Sequence, residues 1–516
     1  FPLGEAVIHY GDETFTEARP WFVANDPPTN SVSISESVSL TDSINYWAPT
    51  AWNKKVISTN STLVSGLSNL THFPILVKLT DDTDLSTTSV GAGGVGIRFT
   101  SDGTELIDFE IDYYDGDSTD GTVHAWVKIP SLSHNEDTTI YIHYGKTTAQ
   151  ANAALTANNV WMGGDGEEDD YVVVNHLRDV INNDGTGSSA SKDQVGSVTG
   201  DDDDFNTNNM DTETNLVTGK IGKAIRMNDE GTNDERVCLE DTGNRNCNGS
   251  APIFDTAVGE RTSSLWYKAD VVSGIDEVNR QVLFEEGGNV NGQNIYLFDD
   301  KIFACTWRDN VAECVSYTTT ANEWHHVALV WVDDGTSYLY HDGEKVATFD
   351  GSVNANHGNP SALGNIAGKT RVQLTDSELS EVIEEGDEGT EYSAFDGIID
   401  EFRVTNKVLT SDQIKTMYYS ESTADIYVQT ISESISFTDS ITYVSKDQIA
   451  LSESVSLTDS TSIGGTANLS ESISLTDSTS IGGTANLSES VSLTDSISKT
   501  ANVNLSESVS LTDSIS

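Results

Sequence analysis

Polar and apolar residues alternate most strictly at the carboxyl end. There L-S-E-S-V-S-L-T-D-S begins at Leu451 and returns, with one Val-to-Ile exchange, at Leu469, Leu487 and Leu505, a fixed spacing of 18 residues. Looser copies run from Ile431 to Ile441 and, far away, from Ile34 to Ile44. In the last unit Leu505, Glu507, Val509, Leu511, Asp513 and Ile515 share one parity, while Ser and Thr fill the other. A strand sends alternate residues to opposite faces, so each unit is expected to be a β-strand with a hydroxyl face and an apolar face edged by carboxylates. Such a strand cannot bury its apolar side alone and needs a neighbouring copy, a host sheet or another molecule. The competing reading is a solvated Ser-rich stalk, which has no reason to keep an apolar parity. Ile34, Val38, Leu40 and Ile44 at one end, and Leu505, Val509, Leu511 and Ile515 at the other, are the candidate assembly strands.

Between these ends the alternation is less regular but still of period two. Phe73 to Leu79, Ile97 to Phe99, Leu106 to Tyr113, Val123 to Ile129 and Thr139 to Tyr144 read as strands separated by Asp/Gly turns, a spacing that favours an antiparallel sandwich. A short strand, Tyr171 to Leu177, stands between Gly- and Asn-rich acidic loops, and a second set of strands follows from about Gly219 to Tyr419. The segment L-T-S-D-Q-I-K-T-M-Y closes this region as a short helix with Ser411 as its expected N-cap. The organisation expected is an arm with one repeat strand (1–50), a first β-sandwich (51–165), a second sandwich (166–422) and the repeat strands (423–516). The fold class is all-β.

Two family resemblances sharpen this. F-P-I-L-V-K-L, G-I-R-F-T-S-D-G, D-F-E-I-D-Y-Y, A-W-V-K-I-P-S-L and T-T-I-Y-I-H-Y-G occur in the order found in an uncharacterised β-sandwich domain, which often precedes laminin-G-like domains in archaeal and bacterial surface proteins. G-K-I-G-K-A-I-R-M-N, T-S-S-L-W-Y-K-A-D, E-W-H-H-V-A-L-V-W, S-Y-L-Y-H-D-G-E-K-V-A and F-D-G-I-I-D-E-F-R-V resemble successive strands of a concanavalin-A-like, laminin-G-type jelly roll. Modules of that kind often hold Ca²⁺ on a rim. The resemblance points to Asp229, Asp234 and Asp400 as its ligands here, with calcium the one expected cofactor.

Other chemistry is sparse. D-F-E-I-D sets Asp108, Glu110 and Asp112 on one strand face, inverted relative to the Glu-x-Asp-x-Glu strand of laminarinase-type glucanases, and reads as an exposed acidic face rather than a catalytic pair. His325 and His326 fall on opposite faces of a core strand. Trp266, Trp324 and Trp331 read as core, and H-D-G (341–343) and D-D-G (333–335) as hairpin turns. No catalytic triad order, phosphate loop or zinc spacing occurs, so the protein is not expected to be an enzyme.

Composition adds location. With 27 Lys plus Arg against 82 Asp plus Glu, the net charge of −55 disfavours nucleic acid and anionic membranes, and no apolar run is long enough to span a bilayer. A chain opening on Phe1 suits a mature secreted product. Cys238 with Cys247 and Cys305 with Cys314 share one spacing, and local closure of each pair is the simplest of three connectivities, in an oxidising setting. Glycosylation sequons stand at Asn60, Asn69, Asn248, Asn468, Asn486 and Asn504, the last three just before each repeat strand. The functional expectation is an extracellular subunit of a filament, sheath or surface layer, pairing repeat strands with other copies of itself. The alternative is an adhesin whose jelly roll binds glycans or other surface proteins, and the remote one is a glucanase.

Overall fold

The computed structural model describes residues 52–148 except 104, 157–161, 171–178, 214–227, 235–239, 258–273, 280–332, 335–350, 361–366, 369–373 and 394–422. It describes 5–10, 13–18, 205–208, 381–384, 427–435, 439–455, 458–473, 476–491, 494–499, 503–509 and 512–515 as strand backbone. The amino-terminal unit, Phe1–Tyr46, holds one antiparallel hairpin, Glu5–Tyr10 with Glu13–Ala18. The Ile34 repeat copy, with Val38, Leu40 and Ile44, lies outside the described residues, as do the acidic loops at 165–170 and 201–204.

In the first sandwich Leu70–Asp82, Gly121–Leu132 and Phe109–Gly116 form one sheet, and Asn53–Thr59, Thr139–Tyr144 and Arg98–Thr100 form the other. Ile57, Phe73, Ile75, Val77, Phe99, Val123, Ala125, Val127, Ile140 and Ile142 fill the space between them. The off-parity residues of the first sheet are buried too. Leu76 and Trp126 pack with Val160, Trp161, Tyr171, Val174 and Ile221, so the outer face of this sheet is closed by the second module.

That module is a two-sheet jelly roll. One sheet runs Phe205–Asn208, Arg236–Leu239, Ser361–Leu363, Gln281–Gly287, Gly292–Phe298, Lys301–Arg308, Val311–Thr318. The other runs Leu216–Thr218, Lys223–Met227, Gly397–Thr405, Glu260–Ala269, His325–Val332, Thr336–His341, Glu344–Asp350, with Val173–Asn175 added on Gly397–Thr405. Trp266 and Trp331 are buried and Trp324 is half-buried. The H-D-G hairpin forms as expected, with φ +50 at Asp342 and +77 at Gly343, the left-handed pair of a tight I′-type turn.

The closing helix, Ser411–Ser422, is capped by Thr410 rather than Ser411. The Thr410 hydroxyl accepts from the Gln413 amide (3.2 Å), and the Gln413 side chain accepts from the Thr410 amide (2.9 Å), a reciprocal capping box that leaves the Ser411 hydroxyl to pair with Tyr340. This helix bridges the sandwiches. Met417 packs into the core of the first, and the Thr416 and Ser420 hydroxyls accept from the amides of Ser65 and Leu76.

Candidate functional site

The repeats form a continuous parallel ladder. Thr458–Ile473 pairs with Thr476–Val491 residue for residue at an offset of 18, and the same offset joins Leu487 to Leu505, Val491 to Val509 and Ile497 to Ile515. A straight strand of this length would rise about 50 Å, and two residues could not return the chain to its start. Each unit therefore closes on itself as one coil of a solenoid, with coils about 4.8 Å apart. The first coil carries Ser445, Lys446 and Asp447 where the next has Gly465 alone, and the pairing resumes at Gln448 opposite Thr466. Two extra residues are absorbed there without disturbing either flank.

The first coil rests on the first sandwich. Tyr427–Ile435 pairs antiparallel with Asn53–Thr59, Tyr427 opposite Thr59 and Thr430 opposite Val56, and so extends that sheet into the ladder. The candidate residues Leu505, Val509 and Ile515 thus pair with repeats of their own chain, and Leu511 lies outside the described residues. Asn468, Asn486 and Asn504 occupy one register position inside the strands rather than ahead of them.

Where the two sandwiches meet, a charged cluster is almost wholly buried. Glu110 and Asp112 come from the strand expected to show an exposed acidic face. That expectation is corrected, because both are under a tenth exposed. Two bulges assemble the cluster. The pairing skips Asp112 between Ile111 and Tyr113, and Gly397–Thr405 bulges at Glu401, whose φ is +53. The second bulge shifts parity, so Ile399, Phe402 and Val404 face the core while Asp400, Glu401 and Arg403 turn outward into the seam.

His176 stands at the centre. Its Nδ1 is 2.8 Å from Glu401 Oε2 and its Nε2 3.2 Å from Glu110 Oε2, and Trp126 stacks on the ring. Arg178 donates to Glu110 (2.8 Å) and Asp112 (2.8 Å), while Arg403 pairs with Glu401 and with Glu421 of the helix (2.6 Å) and lies over the Trp126 ring. Burial opposes a charge on His176, but Glu401, Glu110 and Asp112 outweigh it and raise its pKa well above the ordinary imidazole value. Burial likewise works against ionised Glu401, yet His176 and Arg403 hold its pKa at about 2. Asp112 is pushed up to about 6, chiefly by burial.

Asp400 does not reach a rim. It is fully buried, Oδ2 accepting from the Ile221 amide (2.9 Å) and Oδ1 from the Glu401 amide (2.9 Å), with burial holding its carboxyl well above the usual range. Asp229 and Asp234 lie outside the described residues. Cys305 and Cys314 are bonded across adjacent strands. Cys238 is bonded as well, while Cys247 lies outside the described residues. Asn69 is exposed and Asn60 half-buried, whereas Asn248 is outside the described residues.

These shifts set a pH window for the seam. Raised His176 contributes fully below the unfolded imidazole pKa of about 6.5 and its contribution fades as pH rises through the folded value. Depressed Glu401 and Glu110 contribute above about pH 4.5, and their contribution is lost as pH falls toward their folded values. Asp112, raised to about 6, adds a cost once pH climbs past about 4. Thermal melting of the full chain is expected to peak between about pH 4.5 and 6.5, and replacing His176 by Gln should remove much of the decline on the alkaline side.

Comparison with known proteins agrees with this architecture. Residues 241–415 match the laminin-G-type family model described as the concanavalin A-like lectin/glucanases superfamily. Residues 94–164 match a domain of unknown function (DUF2341), so an uncharacterised β-sandwich domain precedes a laminin-G-like jelly roll in this chain. No curated protein matches it. Among solved structures it is similar to the binding domain of botulinum neurotoxin DC in complex with SialylT (10% identity, 49% of this chain and 52% of that one, TM-score 0.34). It is also similar to domain 4 of AbnA, a GH43 extracellular arabinanase from Geobacillus stearothermophilus, in complex with arabinotriose (17% identity, 42% and 86%, TM-score 0.27). The chain spans about half the length of the toxin domains. Among the described residues no helix is long and apolar enough to cross a membrane.

Proposed function

We propose that this is an extracellular adhesin whose jelly roll is a glycan-binding head, carried on a stiff stalk of repeat coils, and that it is not an enzyme. The carrying observation is the ladder itself. Repeats pair in register with their own neighbours and start on the edge of Asn53–Thr59, so the hydrogen-bonding groups of the inner coils are used within one chain, which supports a stalk over strand exchange. Bonded cysteines suit an oxidising exterior. Glu110 and Asp112, the remnant of the glucanase reading, are paired to Arg178 and His176 in a closed seam that admits no polysaccharide. The acidic surface favours neutral over anionic glycans.

Two measurements on the full chain test this. Electron microscopy should show single particles with a projecting rod, and a glycan array should give signal on neutral sugars. Silence across the array would overturn the adhesin reading. Polymers that vanish on deleting residues 1–44 would replace it with a filament built by strand exchange.

A further inference from the structure

Among the described residues, two trios of side chains bring possible metal ligands together: Asp112, His176 and Glu401 in the seam, and His325, His341 and Asp342 at one end of the jelly roll. They differ in what already surrounds them. In the seam both nitrogens of His176 face carboxylates and two arginines supply further positive charge, so the imidazole is held as a cation and offers no lone pair. The jelly-roll trio has the opposite character.

His325 and His341 are diagonal neighbours on adjacent strands, Val327 standing opposite His341, and their ring centroids are 4.8 Å apart. Both Nδ1 atoms point at one carboxylate oxygen. Asp342 Oδ2 lies 2.8 Å from that of His325 and 3.4 Å from that of His341. The far side of each ring is held by hydroxyls: His325 Nε2 by Thr320 (2.8 Å), and His341 Nε2 by Tyr267 (3.1 Å) and Thr319 (3.3 Å). The carboxylate is aimed as well, because Asp342 Oδ1 accepts from the His326 amide (2.9 Å). Hydroxyls donate or accept equally well, so they can take an Nε2–H from both rings and leave both Nδ1 lone pairs free.

We infer that His325, His341 and Asp342 form a binding site for a borderline divalent transition-metal ion of the zinc class, two imidazole Nδ1 atoms and one carboxylate oxygen leaving a fourth position to solvent. One donor atom from each residue lies within 4.8 Å of the other two, whereas a tetrahedral zinc ion spaces its ligands by about 3.4 Å. Seating the ion asks the His325–Asp342 contact to open from 2.8 Å, while His341 already stands at 3.4 Å from the carboxylate oxygen. Asp342, about a third exposed, gives the ion its entry path. Nitrogen ligands select this class over calcium, which prefers an all-oxygen shell. The inference is independent of the proposed glycan binding.

The test is calorimetric titration of the full chain with Zn²⁺ in excess Ca²⁺, which occupies the general acidic surface, together with the visible spectrum of the Co²⁺-loaded chain. One Zn²⁺ per chain is expected, with an intense four-coordinate Co²⁺ spectrum. His341→Gln should weaken binding by at least about tenfold, and Tyr267→Phe with Thr319→Val, which leaves all three ligands in place, by several-fold. Unchanged affinity in folded His341→Gln overturns the site. So does wild-type protein that binds no Zn²⁺ over Ca²⁺ or gives only the weak six-coordinate Co²⁺ spectrum, a readout that needs no variant to fold.

Discussion

Replacing Arg403 by Met is expected to destabilise the full chain by about 3–5 kcal/mol, read as a shift of the denaturant midpoint at unchanged slope. Arg403 is about 1% exposed and neutralises Glu401 and Glu421, which come from a jelly-roll strand and the bridging helix. Among the described residues, removing the guanidinium leaves buried Glu421 with no cation beside its carboxylate and Glu401 with His176 alone, and it also strips the cation from the faces of Trp126 and Trp161. The triple variant with Glu401→Gln and Glu421→Gln should recover a large part of the loss, because the cost comes from unpaired buried charge more than from the missing attraction. A triple variant as unstable as the single one would assign the effect to lost packing.

Deleting residues 469–486, one repeat period, should leave the melting of the two sandwiches unchanged and shorten the rod by about 4.8 Å. Deleting only 469–477 should unravel the array from that point. A nine-residue cut puts half of one coil beside the unlike half of the next, moves the Gly-Gly pair out of register and reverses parity, so residues meant for one face are presented on the other. Circular dichroism and limited proteolysis of the two deletions separate these outcomes. Equal protection of both chains would mean that register does not hold the array together.

Much of this was legible in the sequence, and the gaps have physical causes. Strict alternation in L-S-E-S-V-S-L gave strands, and the identical 18-residue spacing already held the parallel register that the ladder shows. What alternation could not give was the partner, since a pattern of faces says nothing of which edge it meets. The host strand Asn53–Thr59 was missed because N-K-K-V-I-S-T carries two adjacent apolar residues and no alternation. The seam was misread for a related reason. Alternation along D-F-E-I-D suggests a wet face, and only the off-parity Leu76 and Trp126, apolar where polar residues would be expected, hinted that this sheet is covered on both sides. His176 and Arg178 carry no motif, and Glu401 lies in F-D-G-I-I-D-E-F-R-V with nothing there to mark it as part of a buried cluster. They converge through two bulges, and a bulge leaves almost no mark in sequence.

The helix Ser411–Ser422 has a mechanical meaning. Only four residues separate it from Tyr427, where the first coil begins on the first sandwich. Tension on the jelly roll is carried into the first sandwich. It passes through a helix clamped by hydrogen bonds to Ser65 and Leu76, and then into a strand pair tied by rows of backbone bonds. A load on the jelly roll is therefore borne by the first sandwich, at the helix contacts and along the Asn53–Thr59 edge.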